Sequence, residues 1–130
     1  KMSNLEKASI EKEKGNAHFL NKEFSQAIES YTKAIDLCAS TSENTPDPQS
    51  SNLLATLLTN RAMCHWNLSD IERCEGDCTS ALKIDPLRTK SLFKRAQCQF
   101  EKSDNASALR DLRRILSVEP SNKDAVKLAV

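Results

Sequence analysis

The sequence predicts an all-α fold: three stacked helix-turn-helix units closed by a last helix. Three observations lead there. First, two segments rhyme: Asn60-Arg61-Ala62-Met63-Cys64-His65-Trp66 is answered by Lys94-Arg95-Ala96-Gln97-Cys98-Gln99-Phe100, 34 residues later. Both read x-Arg-Ala-x-Cys-x-aromatic, and self-similarity at such a period marks an array of helical hairpins. Second, a small residue with an aromatic four places on is helical spacing, and the small side chain lets a neighbouring helix come close. Third, 2 Gly and 4 Pro leave little of the turn chemistry that an all-β chain needs.

The elements follow in order. Residues 1–7 are polar and without a clear period, so they read as a lead-in. From Ala8 the pattern is helical, through Ile10, Gly15, Phe19 and Leu20, and Asn21-Lys22-Glu23 breaks it. The next helix carries Ala27, Ile28, Tyr31, Ala34, Ile35 and Cys38 on one face, with Glu29 and Lys33 as an exposed i,i+4 pair. Residues 39–52 change character, and Pro46 and Pro48 mark them as a loop. Helical pattern resumes by Leu53 and runs through Leu57, Leu58, Ala62, His65 and Trp66.

Ser69-Asp70-Ile71-Glu72 reads as a capping box with Ser69 as N-cap. The helix after it carries Cys74, Cys78, Ala81, Leu82 and Ile84, and closes at Asp85-Pro86. A further helix is expected over Thr89 to Lys102, and its partner over Asn105 to Val118. Glu119-Pro120 stops that partner, and Ser121 with Asp124 caps a seventh helix.

The totals exclude several classes of function. At 130 residues the chain suits one domain. Lys plus Arg number 19 against 18 acids, a net charge of +1, which argues against a nucleic-acid or membrane-surface role. No apolar run approaches a membrane span, and no signal-peptide pattern opens the chain. Running from Lys1-Met2 to Val130 within a helical pattern, it reads as a segment of something longer. Five cysteines, an odd number, read as free thiols of a reducing compartment.

The registers overlay. Gly15, Ala62 and Ala96 share the small position of a first helix; Ala27, Cys74 and Ala108 share that of a second. Tyr31, Cys78 and Leu112 follow four on, then Ala34, Ala81 and Ile115, with Pro86 and Pro120 closing two of the units. The units are 8–41, 55–88 and 89–122, with 42–54 inserted between the first two. This pattern resembles the tetratricopeptide repeat, and the resemblance covers residues 8–122. It implies a right-handed superhelical stack within a single domain, 1–130, and a capping helix from 121. One helical hairpin cannot bury its apolar face alone, so the hairpins must stack.

In such repeats the first helices line a concave groove. Here that implies Lys12 and Asn16 from the first unit, with Phe19 further along. The second unit gives Asn60, Met63, Trp66 and Asn67, and the third gives Lys90, Phe93, Lys94 and Gln97. Three lysines and two asparagines from three helices suit a ligand with several acceptor oxygens and at least two negative charges. A peptide ending in Asp or Glu offers two carboxylates at once.

The set is similar to the dicarboxylate clamp of chaperone-binding tetratricopeptide domains. Lys12-Glu13-Lys14-Gly15-Asn16, Asn60-Arg61-Ala62 and Lys90-Ser91-Leu92-Phe93-Lys94 carry that similarity. It implies peptide-carboxylate binding by Lys12, Asn16, Asn60, Lys90 and Lys94, with Phe19, Met63, Trp66, Asn67, Phe93 and Gln97 as further groove contacts. Two departures stand out: Lys94 occupies a place where Arg is usual, and Asn67 one that is often Lys.

The implied partners are the Glu-Glu-Val-Asp tails of the large cytosolic heat-shock chaperones, of the seventy- and ninety-kilodalton classes. The implied role is a non-catalytic docking domain of a co-chaperone or adaptor, cytoplasmic or on the cytosolic face of an organelle. Two alternatives stay open: an organelle-import receptor fragment, and the targeting domain of a larger phosphatase or prolyl isomerase.

Other readings weigh less. Cys74 and Cys78 are at metal-ligand spacing but occupy core positions without further ligands near, so no metal and no cofactor is expected. His18 and His65 have no nucleophile beside them in sequence, so catalysis is not expected. Trp66 and Phe93 serve equally well as groove floor or as packing between repeats.

Overall fold

Ser3 opens the first helix, α1 (Asn4–Leu20), by a capping box: its Oγ accepts from the Glu6 N–H at 3.2 Å, and Glu6 Oε1 accepts from the Ser3 N–H at 2.9 Å. The expected lead-in 1–7 is therefore mostly helix, because two polar side chains there satisfy backbone donors that an apolar period does not report. The computed structural model describes residues 1–39 and 48–129; the stretch 40–47, which holds much of the expected insertion, and Val130 lie outside the described residues. The remaining helices are α2 (Phe24–Ala39), α3 (Pro48–Asn67), α4 (Ile71–Ile84), α5 (Thr89–Glu101), α6 (Asn105–Val118) and α7 (Lys123–Ala129). Among the described residues there is no strand, and no helix is long and apolar enough to cross a membrane.

Helix α3 corrects part of the expected loop 39–52, since residues 48–52 are helical. Pro48 stands at the first helical position, where its missing N–H would have no partner anyway and its fixed φ suits the helix. A proline two residues after another marks a break and a start at once, and sequence alone favoured the break.

The three hairpin turns are built alike. Lys22, Ser69 and Ser103 take positive φ of 60°, 63° and 62°. The residue after each sends its N–H back to a carbonyl of the preceding helix: Glu23 to His18, Asp70 to His65 and Asp104 to Gln99, each at 2.8 Å. The left-handed residue ends the helix, so the N-cap shifts one place along. Asp70, not Ser69, caps α4 by accepting from the Arg73 N–H, and Asp104 caps α6 by accepting from the Ser107 N–H. At α7 the capping acceptor is likewise Asn122 rather than Ser121, its Oδ1 taking the Ala125 N–H at 2.9 Å.

Helices neighbouring in sequence pack on each other from α1 through to α7. The core has three centres. Ala8, Ala27, Tyr31, Ala34, Leu57 and Cys64 join α1, α2 and α3. Ala62, Cys74, Cys78 and Cys98 join α3, α4 and α5. Leu92, Ala96, Ala108, Leu112, Ile115 and Ala125 join α5 and α6 to the closing α7. Alanine and cysteine at the closest approaches keep helix axes near enough for the larger residues to interdigitate.

Candidate functional site

The site begins with a missing side chain. A Cβ on Gly15 would lie 2.5 Å from Tyr31 Cε1, so the Tyr31 ring rests directly against the α1 backbone. From there its hydroxyl donates to Asn16 Oδ1 at 2.5 Å. With that oxygen occupied, the Asn16 amide faces outward as a donor; its own contact, to Glu13 Oε1, is long at 3.5 Å. Tyr31 is 1% exposed, and burial, with smaller contributions from Cys64 and Glu13, pushes its phenol up to about 12.

Asn16 opens on a cavity of about 380 Å³, lined also by Phe19 and Leu20 of α1, Tyr31 of α2, Asn60 and Met63 of α3, and Lys90 of α5. Three of the five expected carboxylate ligands, Asn16, Asn60 and Lys90, each from a different helix, thus share one hollow. The other lining residues, Phe19, Leu20, Tyr31 and Met63, are largely apolar. Lys12 lies one turn before Asn16 on α1, half-buried, and lines neither this cavity nor the next. Sequence reasoning named Phe19 and Met63 but missed Leu20 and Tyr31. Tyr31 was legible as the aromatic of the repeat, yet nothing in its spacing announces a bond to Asn16.

A second cavity of about 560 Å³ shares Met63 and Lys90 with the first and continues past Thr89, Phe93, Lys94 and Gln97 to Glu119, Asn122 and Asp124. The last three, at the end of α6 and the start of α7, were not foreseen. Lys94 is half-buried, with its ammonium 4.2 Å from the centroid of the Trp66 ring, and burial draws its pKa below the ordinary lysine value. Trp66 also packs on the cysteine-rich core, so it belongs to the junction between α3, α4 and α5 and to Lys94 at once. Phe93 lines the second cavity and packs on the third core centre, so it too has both roles. Asn67 is turned back onto its own helix, donating to the Met63 carbonyl at 2.8 Å.

The remaining titratable groups serve the fold. All five cysteines are buried, and none forms a disulfide. Hydrogen bonding to Cys78 and burial push the Cys74 thiol up to about 12, and burial pushes Cys64 to about 11, away from the reactive thiolate. Among the described residues no cluster of His, Cys, Asp and Glu is arranged to hold a metal ion. His18 Nδ1 lies 2.9 Å from Glu23 Oε1, and the buried His65, its pKa lowered by burial, stands 3.7 Å from Asp77.

With this geometry in view, the likenesses are informative. The tetratricopeptide-repeat family model matches residues 13–41. The chain is 32% identical over 130 residues to the mouse mitochondrial import receptor subunit TOM70, covering 98% of this chain and 20% of that protein. Among solved structures, the first repeat domain of Spaghetti (RPAP3), bound to the HSP90 peptide SRMEEVD, superposes with a TM-score of 0.83 at 31% identity, covering 98% of this chain and 90% of that one. The second repeat domain of human RPAP3, in complex with the HSP70 peptide SGPTIEEVD, gives 0.82 at 28% identity, covering 98% and 95%. The chain spans about a fifth of the length of the curated relatives it matches.

Proposed function

The chain belongs to the tetratricopeptide-repeat family, and on that premise we propose that it is a non-catalytic docking module for the acidic C-terminal peptides of heat-shock chaperones. The observation that carries the reading is the shared hollow of Asn16, Asn60 and Lys90, with Lys94 in the cavity beside it. Two neutral amides and two ammonium groups match the two carboxylates of a terminal Asp, and the apolar walls of Phe19 and Met63 match a small aliphatic residue before it. Lys12, one turn along α1, completes the basic rim. Solved neighbours that hold peptides ending in Glu-Glu-Val-Asp support the same reading. Such a module works in the cytoplasm or on the cytosolic face of an organelle. The likeness to TOM70 favours, as a second reading, a receptor of organelle import that uses the same site.

The test is calorimetric titration of one peptide ending in Glu-Glu-Val-Asp, as free acid and as C-terminal amide. Losing one charge-assisted contact costs roughly 1.5–3 kcal/mol, about ten- to a hundredfold in affinity. Added salt weakens the acid form, because exposed charge pairs are screened. Equal affinity for acid and amide refutes the clamp.

A further inference from the structure

A lysine such as Lys94 is a point charge on a flexible stem that must be ordered before it can grip a carboxylate. The surroundings of this lysine supply that order. Its ammonium lies over the Trp66 face at 4.2 Å, within the range of a cation–π contact, and tryptophan is the strongest ring for one. The contact spans two helices, Trp66 on α3 and Lys94 on α5. The ring itself is held, packed with Ile71 against Ala62, Cys74, Cys78 and Cys98. The Arg95 guanidinium is held along one edge by both Asp111 oxygens and by Thr79 at its other terminal nitrogen, and Asn67 donates to its own helix.

We propose that Trp66 is a positioning residue for peptide binding: its ring face holds the Lys94 ammonium at the edge of the second cavity, where an acidic peptide meets it. The assignment rests on the clamp reading above. Trp66 acts through Lys94, keeping the charge from sweeping solvent and leaving the outer side of the ammonium for a carboxylate. A tryptophan at position 66 thereby offsets part of what a lysine at position 94 lacks. The phenylalanine in the matching place of the next unit, Phe100, packs instead against the core cluster that includes Leu112 and Ile115.

The test is a double-mutant cycle on the whole chain, with Trp66→Leu, Lys94→Ala and both together, titrated with the same Glu-Glu-Val-Asp peptide. Each variant is first checked for native helicity. Trp66→Leu is expected to weaken binding about three- to tenfold in the parent and to have no further effect once Lys94 is alanine, while Trp66→Phe loses less. Equal losses in both backgrounds overturn the proposal, since the ring would then touch peptide directly or act on the fold. So does no loss at all. A parent protein that binds no acid-ended peptide overturns the clamp reading and this assignment together, whereas additive losses in a protein that binds overturn the assignment alone. Proton spectra of the free protein give a peptide-independent check. The Lys94 side-chain protons are expected at ring-shifted positions that return to ordinary ones in Trp66→Leu, and ordinary positions in the parent overturn the placement.

Discussion

Arg95 grips Asp111 with a full fork: Nε lies 2.7 Å from Oδ2, one terminal nitrogen lies 2.8 Å from Oδ1, and the other donates to Thr79 Oγ1 at 3.3 Å. Thirty-four residues earlier the same lock recurs, Arg61 holding Asp77 at 2.8 Å through both arms and Thr32 at 3.1 Å. Each lock ties one helix to the helix after it and to the helix before it, α5 to α6 and α4, and α3 to α4 and α2. The Asp111 side chain is only 4% exposed and that of Arg95 18%. Removing the acid strands a largely buried cation, so Asp111→Ala should cost about 3–5 kcal/mol in urea unfolding. A loss below 1 kcal/mol would show the lock to be ornamental.

The same lock separates two neighbours with opposite duties. Arg95→Ala should lower stability yet leave the folded protein able to bind an acidic peptide, because its guanidinium is already spent on Asp111. Lys94→Ala should spare stability and weaken peptide binding by about 1 kcal/mol or more. Titration of both variants at a temperature where each is folded decides. The reverse pattern would move the clamp's fifth position from Lys94 to Arg95.

The two glycines should respond in opposite directions. Gly76 lies exposed within α4 with nothing within 4 Å of an added Cβ, so Gly76→Ala should stabilise by about 0.5–1 kcal/mol through helix propensity. At Gly15 the same propensity gain meets a Cβ 2.5 Å from the Tyr31 ring. Overpacking of about 1–3 kcal/mol should win, and Gly15→Ala should melt earlier. It should also weaken peptide binding, since a displaced Tyr31 releases the Asn16 amide. Thermal melts that move the same way for both variants would contradict this account.

Tyr31 is the only tyrosine, so its ionisation can be read from absorbance. Burial raises the folded value to about 12 against an ordinary 10.0. A group with a raised folded pKa contributes stability that is fully present below its unfolded value and is lost as pH rises through the folded one. The protein should therefore lose stability from about pH 10 upward, and Tyr31→Phe should lose less over the same range. The phenolate should appear near pH 10 in denaturant and distinctly later in the folded protein. A folded midpoint at 10 would mean that Tyr31 is neither buried nor bonded to Asn16.

The cysteines supply a control on chemistry. Cys78 is fully buried between helices, so Cys78→Asp should destabilise by roughly 3 kcal/mol or more, while Cys74→Ala should be tolerated. Zinc should change neither helicity nor melting temperature. Stoichiometric zinc binding by the purified protein would reverse the reading of these thiols as packing.

Much of the architecture was legible because it is written in local periods. Gly15, Ala62 and Ala96 recur since every pair of helices needs a place of close approach, and the aliphatic face of α2 repeats at helical spacing because one side of each helix must leave water. The helix starts were less legible. Pro48 served as a first helical residue where a loop was expected, and Ser69 took a left-handed φ that handed its capping role to Asp70. Those are choices between two local conformations of similar energy, and the packing of neighbouring helices made them.

The sequence by itself determined that the chain is a helical repeat and which residues share a face. Only the tertiary structure decided who meets whom across helices: Tyr31 with Asn16, Lys94 with Trp66, Arg61 with Asp77 and Arg95 with Asp111. The partners stand on different helices, too far apart in sequence for the helical period to relate them. A period says which way a side chain points about its own axis. Which side chain of another helix it meets depends on how closely the two axes pack and at what angle, and that is settled by small residues such as Gly15 and Ala62, whose missing bulk leaves no mark at the positions that profit from it.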